Sequence, residues 1–299
     1  MATILYDAIL SSGMFKCLIG PDKSEFIIHS ALLASQSKVL DRLVNGQMKE
    51  AFEGKVHWTE VDTETFIRFS QFAYTGDYYE AKFQPRQGSE CSATASQTSA
   101  SPSSQHSKTV PYTNEEPNTV PPIYARSVLQ ASSAARAPAP RSWSGRKRVE
   151  ETALKEKKNL LWAKFKSLHA DTGLEGPIPT NSSSDDTTEM LLSHARVYVF
   201  AECYDIAPLR LLSLRKLRQT LEHFQMYDEA VYDVIQLINY CYENTIARTD
   251  GAEDLRSLLC MFAACNMEKL WGNKEFQELV QTCGEFSQGL ITQLLHRLD

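Results

Sequence analysis

The sequence has no apolar stretch approaching the ~20 residues a membrane-crossing helix needs. Its opening residues, Met1-Ala2-Thr3-Ile4-Leu5-Tyr6-Asp7, carry neither the basic segment nor the long apolar run of an export signal. It has few cysteines, seven in 299 residues, scattered and odd in number. Without an export signal they are expected to be reduced thiols in a cytoplasmic or nuclear protein. Cys260 and Cys265 lie close together, but no second close pair accompanies them. A structural zinc site calls for two such pairs, so buried, inert thiols are the better account and no metal is expected. There is no phosphate-binding loop, no Gly-x-Ser-x-Gly and no His-Glu-x-x-His, so neither a catalytic residue nor a cofactor is expected. Positive charge is not in excess: 31 Lys and Arg stand against 37 Asp and Glu, a net of −6. That argues against a surface built for nucleic acid.

Proline is scarce except in one region. Ten of the twelve prolines lie between residues 84 and 187, and eight of the nineteen residues at 89–107 are serine. Such a segment buries too little apolar surface to offset its ordering entropy. Within an insertion at 84–188, residues 84–145 and 170–187 are therefore expected to be disordered or loosely held and dispensable for the fold, and the segment near Trp162 only partly so. The insertion carries a net charge of +3 and the rest of the chain −9.

The flanks are patterned. Phe15, Cys17 and Ile19 alternate as on a strand, Gly20-Pro21-Asp22-Lys23 supplies a turn, and Phe26-Ile27-Ile28 returns as a second strand. Helices are expected at 30–35, after a Ser37 cap, and after Asp62 or Thr63, the last stopped by Thr75-Gly76. A third strand is expected over 55–61. Leu5, Ala8 and Ile9 sit at helical spacing near the start. Residues 189–299 are patterned as helices. Leu192, Ala195 and Val199 form one stripe, and Pro208 opens the next helix. A helix capped by Asp228 carries Val231, Val234, Ile235 and Ile238 on one face. Two more carry Leu255, Leu258, Leu259 and Phe262, and Phe286, Leu290, Leu294 and Leu298. No fixed-period repeat appears.

The run Phe26-Ile27-Ile28-His29-Ser30-Ala31-Leu32-Leu33-Ala34-Ser35-Gln36-Ser37 resembles the strand–His–helix signature of BTB/POZ domains. Some forty residues on, Phe69-Ser70-Gln71-Phe72-Ala73-Tyr74-Thr75-Gly76-Asp77-Tyr78 resembles the family's second signature. The stretch Arg196-Val197-Tyr198-Val199-Phe200-Ala201-Glu202-Cys203-Tyr204-Asp205-Ile206 is similar to the segment that comes after these signatures in the single-domain BTB proteins of fungi. The resemblance implies an α+β fold, a small sheet flanked by helices. The BTB domain would be split into 1–83 and 189–225, with a short BACK-like helical tail at 228–299. It also implies a non-catalytic protein-interaction module. The leading expectation is a substrate adaptor for a cullin-type ubiquitin ligase; the alternative is a nuclear transcription or chromatin regulator acting through partners. The pattern departs from the family at Phe15-Lys16, where Ser-Asp is usual, and at Ser30, where a basic residue commonly succeeds the signature His. The buried charge pair that some members use as a co-regulator pocket is therefore absent, and the chain carries no zinc-finger array or kelch repeat.

Met48 and Glu50 resemble the hydrophobic-x-Glu element through which BTB adaptors engage cullin scaffolds; a solvated loop is the other account of this segment. Only Met1-Ala2-Thr3 precedes the Leu5/Ile9 helix, too little for the strand that family dimers exchange, so a weak homodimer resting on Leu5 and Ile9 is expected. His29 is expected to be structural, satisfying backbone groups at a helix end. Arg146, Lys147 and Arg148, with Lys155, Lys157, Lys158, Lys164 and Lys166, overlap an amphipathic run near 150–168 bearing Leu154, Leu161, Trp162, Phe165 and Leu168. Docking of that face on the core is favoured over a nuclear import signal and over nucleic-acid contact.

Overall fold

A computed structural model describes residues 5–86, 143–168, 180–246 and 254–298; of 143–154, 254, 297 and 298 it describes the backbone alone. Among the described residues no helix is long and apolar enough to cross a membrane.

The architecture is α+β. Helix α1 (Tyr6–Ser11) leads into the hairpin of β1 (Met14–Ile19) and β2 (Ser24–His29). Three short helices come next: α2 (Ser30–Ser35), α3 (Lys38–Asn45) and α4 (Lys49–Glu53). They carry the chain across to β3 (Lys55–Trp58), which lies parallel to β1 on the side away from β2. A parallel neighbour cannot be reached by a tight turn, and the helical crossover is what makes this pairing possible. The strand expected over 55–61 ends at Trp58 because Asp62 is already committed to α5 (Thr63–Thr75). Its carboxylate accepts the Thr65 N–H at 2.8 Å as the helix N-cap. At the other end Gly76 takes φ 81°, a left-handed conformation in which a Cβ would be strained, and its N–H closes on the Phe72 carbonyl.

The insertion contains the helix α6 (Trp143–Ser167), and the described chain beyond it is helical: α7 (Thr188–Cys203), α8 (Ala207–His223), α9 (Val231–Asn244), α10 (Asp254–Cys265), α11 (Met267–Leu270), α12 (Lys274–Thr282) and α13 (Gly284–Leu298). Two elements differ from the pattern. Asp228 does not cap α9; it opens a single 3-10 turn, and α9 starts after Ala230 without a side-chain cap. The short α11 and α12 have too few turns for periodicity to reveal, although Asn273 caps α12 by accepting the Glu275 and Phe276 N–H groups.

Two apolar cores result. One unites Phe15, Cys17, Ile19, Ile28, Leu33, Leu40, Trp58, Phe66 and Phe69 with Val197, Phe200 and Ala201 of α7 and Leu209 of α8. Trp58 meets Phe200 edge-on at 5.5 Å between ring centroids, and Phe69 meets it at 4.9 Å. The other core joins the remaining faces of α7 and α8 to α9, α10, α12 and α13, and includes Leu161 and Phe165 of α6. The stripe expected on α7 is thus too narrow: Val199 is only half-buried, while Leu191, Ala195, Val197, Tyr198 and Phe200 are buried on opposite sides. Gly289 of α13 sits against α10, where a Cβ would stand 2.6 Å from the Cys260 sulfur. Burial raises the Cys260 and Cys17 thiols to about 11 and about 12, consistent with inert cysteines.

The insertion is held at its base more firmly than its composition suggests. β4 (Gln84–Pro85) pairs antiparallel with β5 (Asp185–Asp186). Beside them the fully buried Asp233 carboxylate of α9 accepts from Arg86 at 2.7 Å, from the Thr187 hydroxyl at 2.6 Å and from the Thr187 N–H at 3.0 Å. Asn181 exchanges two hydrogen bonds with the Gln225 backbone, at 2.7 and 2.9 Å. The expectation that 84–145 and 170–187 are loosely held is therefore corrected at 84–86 and 180–187, where polar side chains find buried partners. Its other residues, 87–145 and 170–179, lie outside the described side chains.

A carboxylate buried this deeply is stable only with its partners in place. Asp233→Ala is expected to lower unfolding stability by about 3 kcal/mol, because it leaves Thr187 and Arg86 without their acceptor. Urea denaturation of the variant beside the wild type checks this. A loss below about 1 kcal/mol would show that the base of the insertion is held elsewhere.

Candidate protein-interaction surface

The two signature segments meet each other. His29 ends β2, and its Nδ1 lies 2.8 Å from the Tyr74 hydroxyl near the end of α5, which also accepts the His29 N–H at 3.4 Å. The histidine is structural, but not by capping a helix as its position suggested: no side-chain bond to α2 is made, and the ring ties the sheet to α5.

Tyr78 makes the second link. Its fully buried hydroxyl lies 2.8 Å from Nδ1 of His194, itself fully buried on α7. On the other side of the imidazole, Nε2 faces the Thr220 hydroxyl of α8 at 3.4 Å and the Glu80 carboxylate at 3.5 Å. Lys216 of α8 closes the cluster, donating to the Tyr78 carbonyl at 3.0 Å and pairing with Asp77 at 2.9 Å. Arg68 of α5 donates to the Tyr79 carbonyl at 3.2 Å. Burial pushes the His194 pKa below its ordinary value, against the opposing pull of Glu80. Burial likewise pushes Tyr78 well above its own, while the hydrogen bond to His194 lowers Glu80. A neutral imidazole accepting from Tyr78 and donating toward Glu80 satisfies the whole arrangement. Tyr78 and His194 are sealed in, while the Glu80 and Asp77 carboxylates reach the surface; the chemistry of the cluster is cohesion between the signature segment and α7–α8.

The exposed features lie elsewhere. Met48 precedes α4 and is 57% exposed; Phe52, on α4, is 81% exposed. Glu50 stands between them, half-buried and without an ion-pair partner among the described residues. Its neighbour Glu53 is engaged by Lys55 at 3.2 Å and Lys49 at 3.6 Å, and the Lys55 contact leads in holding the Glu53 carboxyl below its ordinary pKa. The segment is thus a short helix closed by Gly54 rather than a solvated loop. Phe52 escaped the sequence reading because a lone aromatic two residues before a glycine has no periodic context.

The apolar face expected on α1 is rearranged. Ile9 is 7% exposed and belongs to the chain's own core, whereas Leu5 is 69% exposed and lies beside exposed Tyr6 and Leu10. A six-residue helix resting on one isoleucine turns its other apolar residues outward, so Leu5 and Ile9 do not share an exposed face. The side chains of Arg146, Lys147 and Arg148 lie outside the described residues, as do Leu154 and Leu298. Leu161 and Phe165 do dock, and Trp162 stacks on Phe165 at 5.0 Å. Among the described residues no group of His, Cys, Asp and Glu is placed to hold a metal ion.

Residues 10–84 match the family model of the BTB/POZ domain. The chain therefore contains a BTB/POZ domain, a protein-interaction module. No curated protein and no solved structure matches the chain.

The Tyr78–His194 link gives a pH dependence of known sign. The unfolded chain binds a proton on His194 near its ordinary pKa, whereas the folded chain resists it, so this contribution to stability is lost as pH falls. Acidification from about pH 7.5 to about pH 5.5 is expected to destabilise the wild type more than His194→Asn, which is less stable at both values. Paired urea titrations of the two proteins measure it. An equal loss in both would assign the acid sensitivity to other groups.

Proposed function

We propose that the chain is a non-catalytic adaptor whose BTB/POZ domain docks on a cullin-type ubiquitin-ligase scaffold in the cytosol or nucleus. The observation that carries this reading is the α4 corner. Met48 and Phe52 are large apolar side chains left in solvent on either side of Glu50, which has no ion-pair partner among the described residues. Apolar anchors flanking one directed charge are the composition of an interface hot spot. The BTB domain on this reading is split, 1–83 with 189–225, an assignment supported by the core that Trp58 and Phe69 share with Phe200 and Leu209. The helices at 228–299 then form the tail that presents a client.

Met48→Ala/Glu50→Ala is expected to weaken capture of a purified cullin about 30-fold or more while leaving the melting temperature unchanged, since neither side chain belongs to a core. Wild type that captures no cullin would sink the reading.

The same domain is given a weak homodimer contact at α1, now on Leu5, Tyr6 and Leu10 rather than on Leu5 and Ile9. Light scattering should show wild type associating at about 100 μM, near −5 kcal/mol, and Leu5→Asp/Leu10→Asp remaining monomeric. A dimer untouched by both changes would place the contact elsewhere.

A further inference from the structure

The seat of α6 has the features of a recognition groove. Leu161, Trp162, Phe165 and Leu168 project from one side of the helix and pack on the second core. Trp162 and Phe165 face Phe262 of α10, at 6.4 and 5.7 Å between centroids, and Phe262 in turn meets Phe224 just beyond α8 at 6.4 Å. Anchors at i, i+1, i+4 and i+7 are the pattern of an amphipathic helix lying in an apolar groove. The rim complements that helix in charge. Lys158 pairs with Glu268 of α11 at 3.0 Å, and Lys166 with Glu222 of α8 at 3.5 Å.

One contact goes beyond generic packing. The buried Arg218 of α8 donates to the Lys166 carbonyl at 3.1 Å and is held in place by Glu222 at 2.6 Å. Lys166 lies in the last turn of α6, where carbonyls have no partner within the helix and the helix dipole is negative. The groove thus carries a buried cation aimed at the C-terminal end of a helix, in addition to apolar walls and an acidic rim.

The occupant is attached unusually. Other helices of this core succeed one another through short connections, but 56 residues separate Arg86 from Trp143 and 12 separate Leu168 from Asn181. Among the described residues α6 meets the body through side chains, without the close backbone seam of α7 against α8. It also brings basic charge from the +3 insertion onto the −9 remainder of the chain.

We propose that the α8–α10 groove is a binding site for a basic amphipathic helix bearing a Leu-Trp-x-x-Phe-x-x-Leu face, and that α6 is its built-in occupant, a tethered pseudo-ligand that a partner helix of the same chemistry displaces. The proposal does not depend on what the BTB domain binds. Occupied in cis, the groove is closed to weak competitors, because a partner sees only the small fraction of molecules in which α6 has left.

The test uses the full chain and a fluorescent peptide with the sequence of residues 155–168. Anisotropy titration of Trp162→Ala/Phe165→Ala, which empties the groove, is expected to give a Kd at least about tenfold lower than the wild type gives. Adding Arg218→Ala to the emptied variant should weaken the peptide again, and adding Ile27→Ala, at an exposed position on β2 outside this core, should not. Equal binding by wild type and the double variant, or none by the double variant while its circular dichroism stays native, overturns the proposal. Should the double variant fail to fold, a wild-type chain with protease sites inserted near residues 130 and 174 decides. After cleavage the α6 fragment should leave on dilution, with the remainder still folded and able to bind the peptide. Unfolding of the remainder as the fragment leaves would make α6 an integral core element and end the pseudo-ligand reading.

Discussion

Burial of α7 on opposing faces is the constraint on which the other elements depend. The helix contributes Val197, Phe200 and Ala201 to the core beneath the sheet and Leu191, Leu192, Ala195 and Tyr198 to the core of the C-terminal helices. A helix in that position keeps only a narrow solvent edge, near Glu189 and Arg196, so polar atoms on its buried faces must find partners within the protein. Ser193 bonds back to the Met190 carbonyl, and His194 is met by Tyr78, Thr220 and Glu80. Tyr78 lies at the end of the N-terminal segment, 116 residues away in sequence. The core beneath the sheet consequently includes side chains that come after the insertion. Closing so long a loop costs only logarithmically more than closing a short one, an increment that the burial of Trp58, Phe69 and Phe200 against one another offsets.

The same constraint explains why the insertion is pinned at its base. If 84–86 and 180–187 were loose, the start of α7 would fray, and with it the floor of both cores. The two-residue β4–β5 pairing cannot hold by itself, since an isolated ribbon of that size is not stable in water. Asp233 supplies the difference. It reaches from α9 to the strand before the insertion through Arg86 and to the residue before α7 through Thr187. One carboxylate thus ties together the three places where the chain leaves the domain, re-enters it and packs behind it.

How much of the fold is legible in the sequence depends on whether a feature is local. The hairpin, the Ser37 and Asp62 caps and the Gly76 stop are legible because each is set by residues within a few positions of one another. So is the apolar face of α9, where Val231, Val234, Ile235 and Ile238 are all buried. Asp233 is not, because an acidic residue between two valines reads as the solvent side of a helix unless its distant partners are known. His194 and Tyr78 are hidden for the same reason. Ile9 was assigned outward from spacing alone, and spacing cannot tell which side of a one-and-a-half-turn helix meets the sheet. Of the candidate interface, Met48 and Glu50 are legible through resemblance, whereas Phe52 gains meaning only once α4 shows it standing in solvent.

These placements separate cohesion from recognition. The family signature residues, His29, Tyr74 and Tyr78, are spent on holding the sheet, α5 and α7 together: the His29–Tyr74 bond lies at the surface and the Tyr78–His194 bond is buried. The large apolar residues of α1 and of the α4 corner that stand in solvent are those that local structure forces there: Met48 and Phe52, because α4 is too short to bury both faces, and Leu5, Tyr6 and Leu10, because α1 rests on Ile9 alone. A short helix with one anchor must expose the rest of its apolar side chains. Evolution can therefore change what binds at these corners without disturbing the cores, since no buried residue depends on them. Helix α6 sits at the boundary between the two classes. Its Phe165 is as buried as any core residue, yet among the described residues no other helix adjoins α6 directly in sequence on either side.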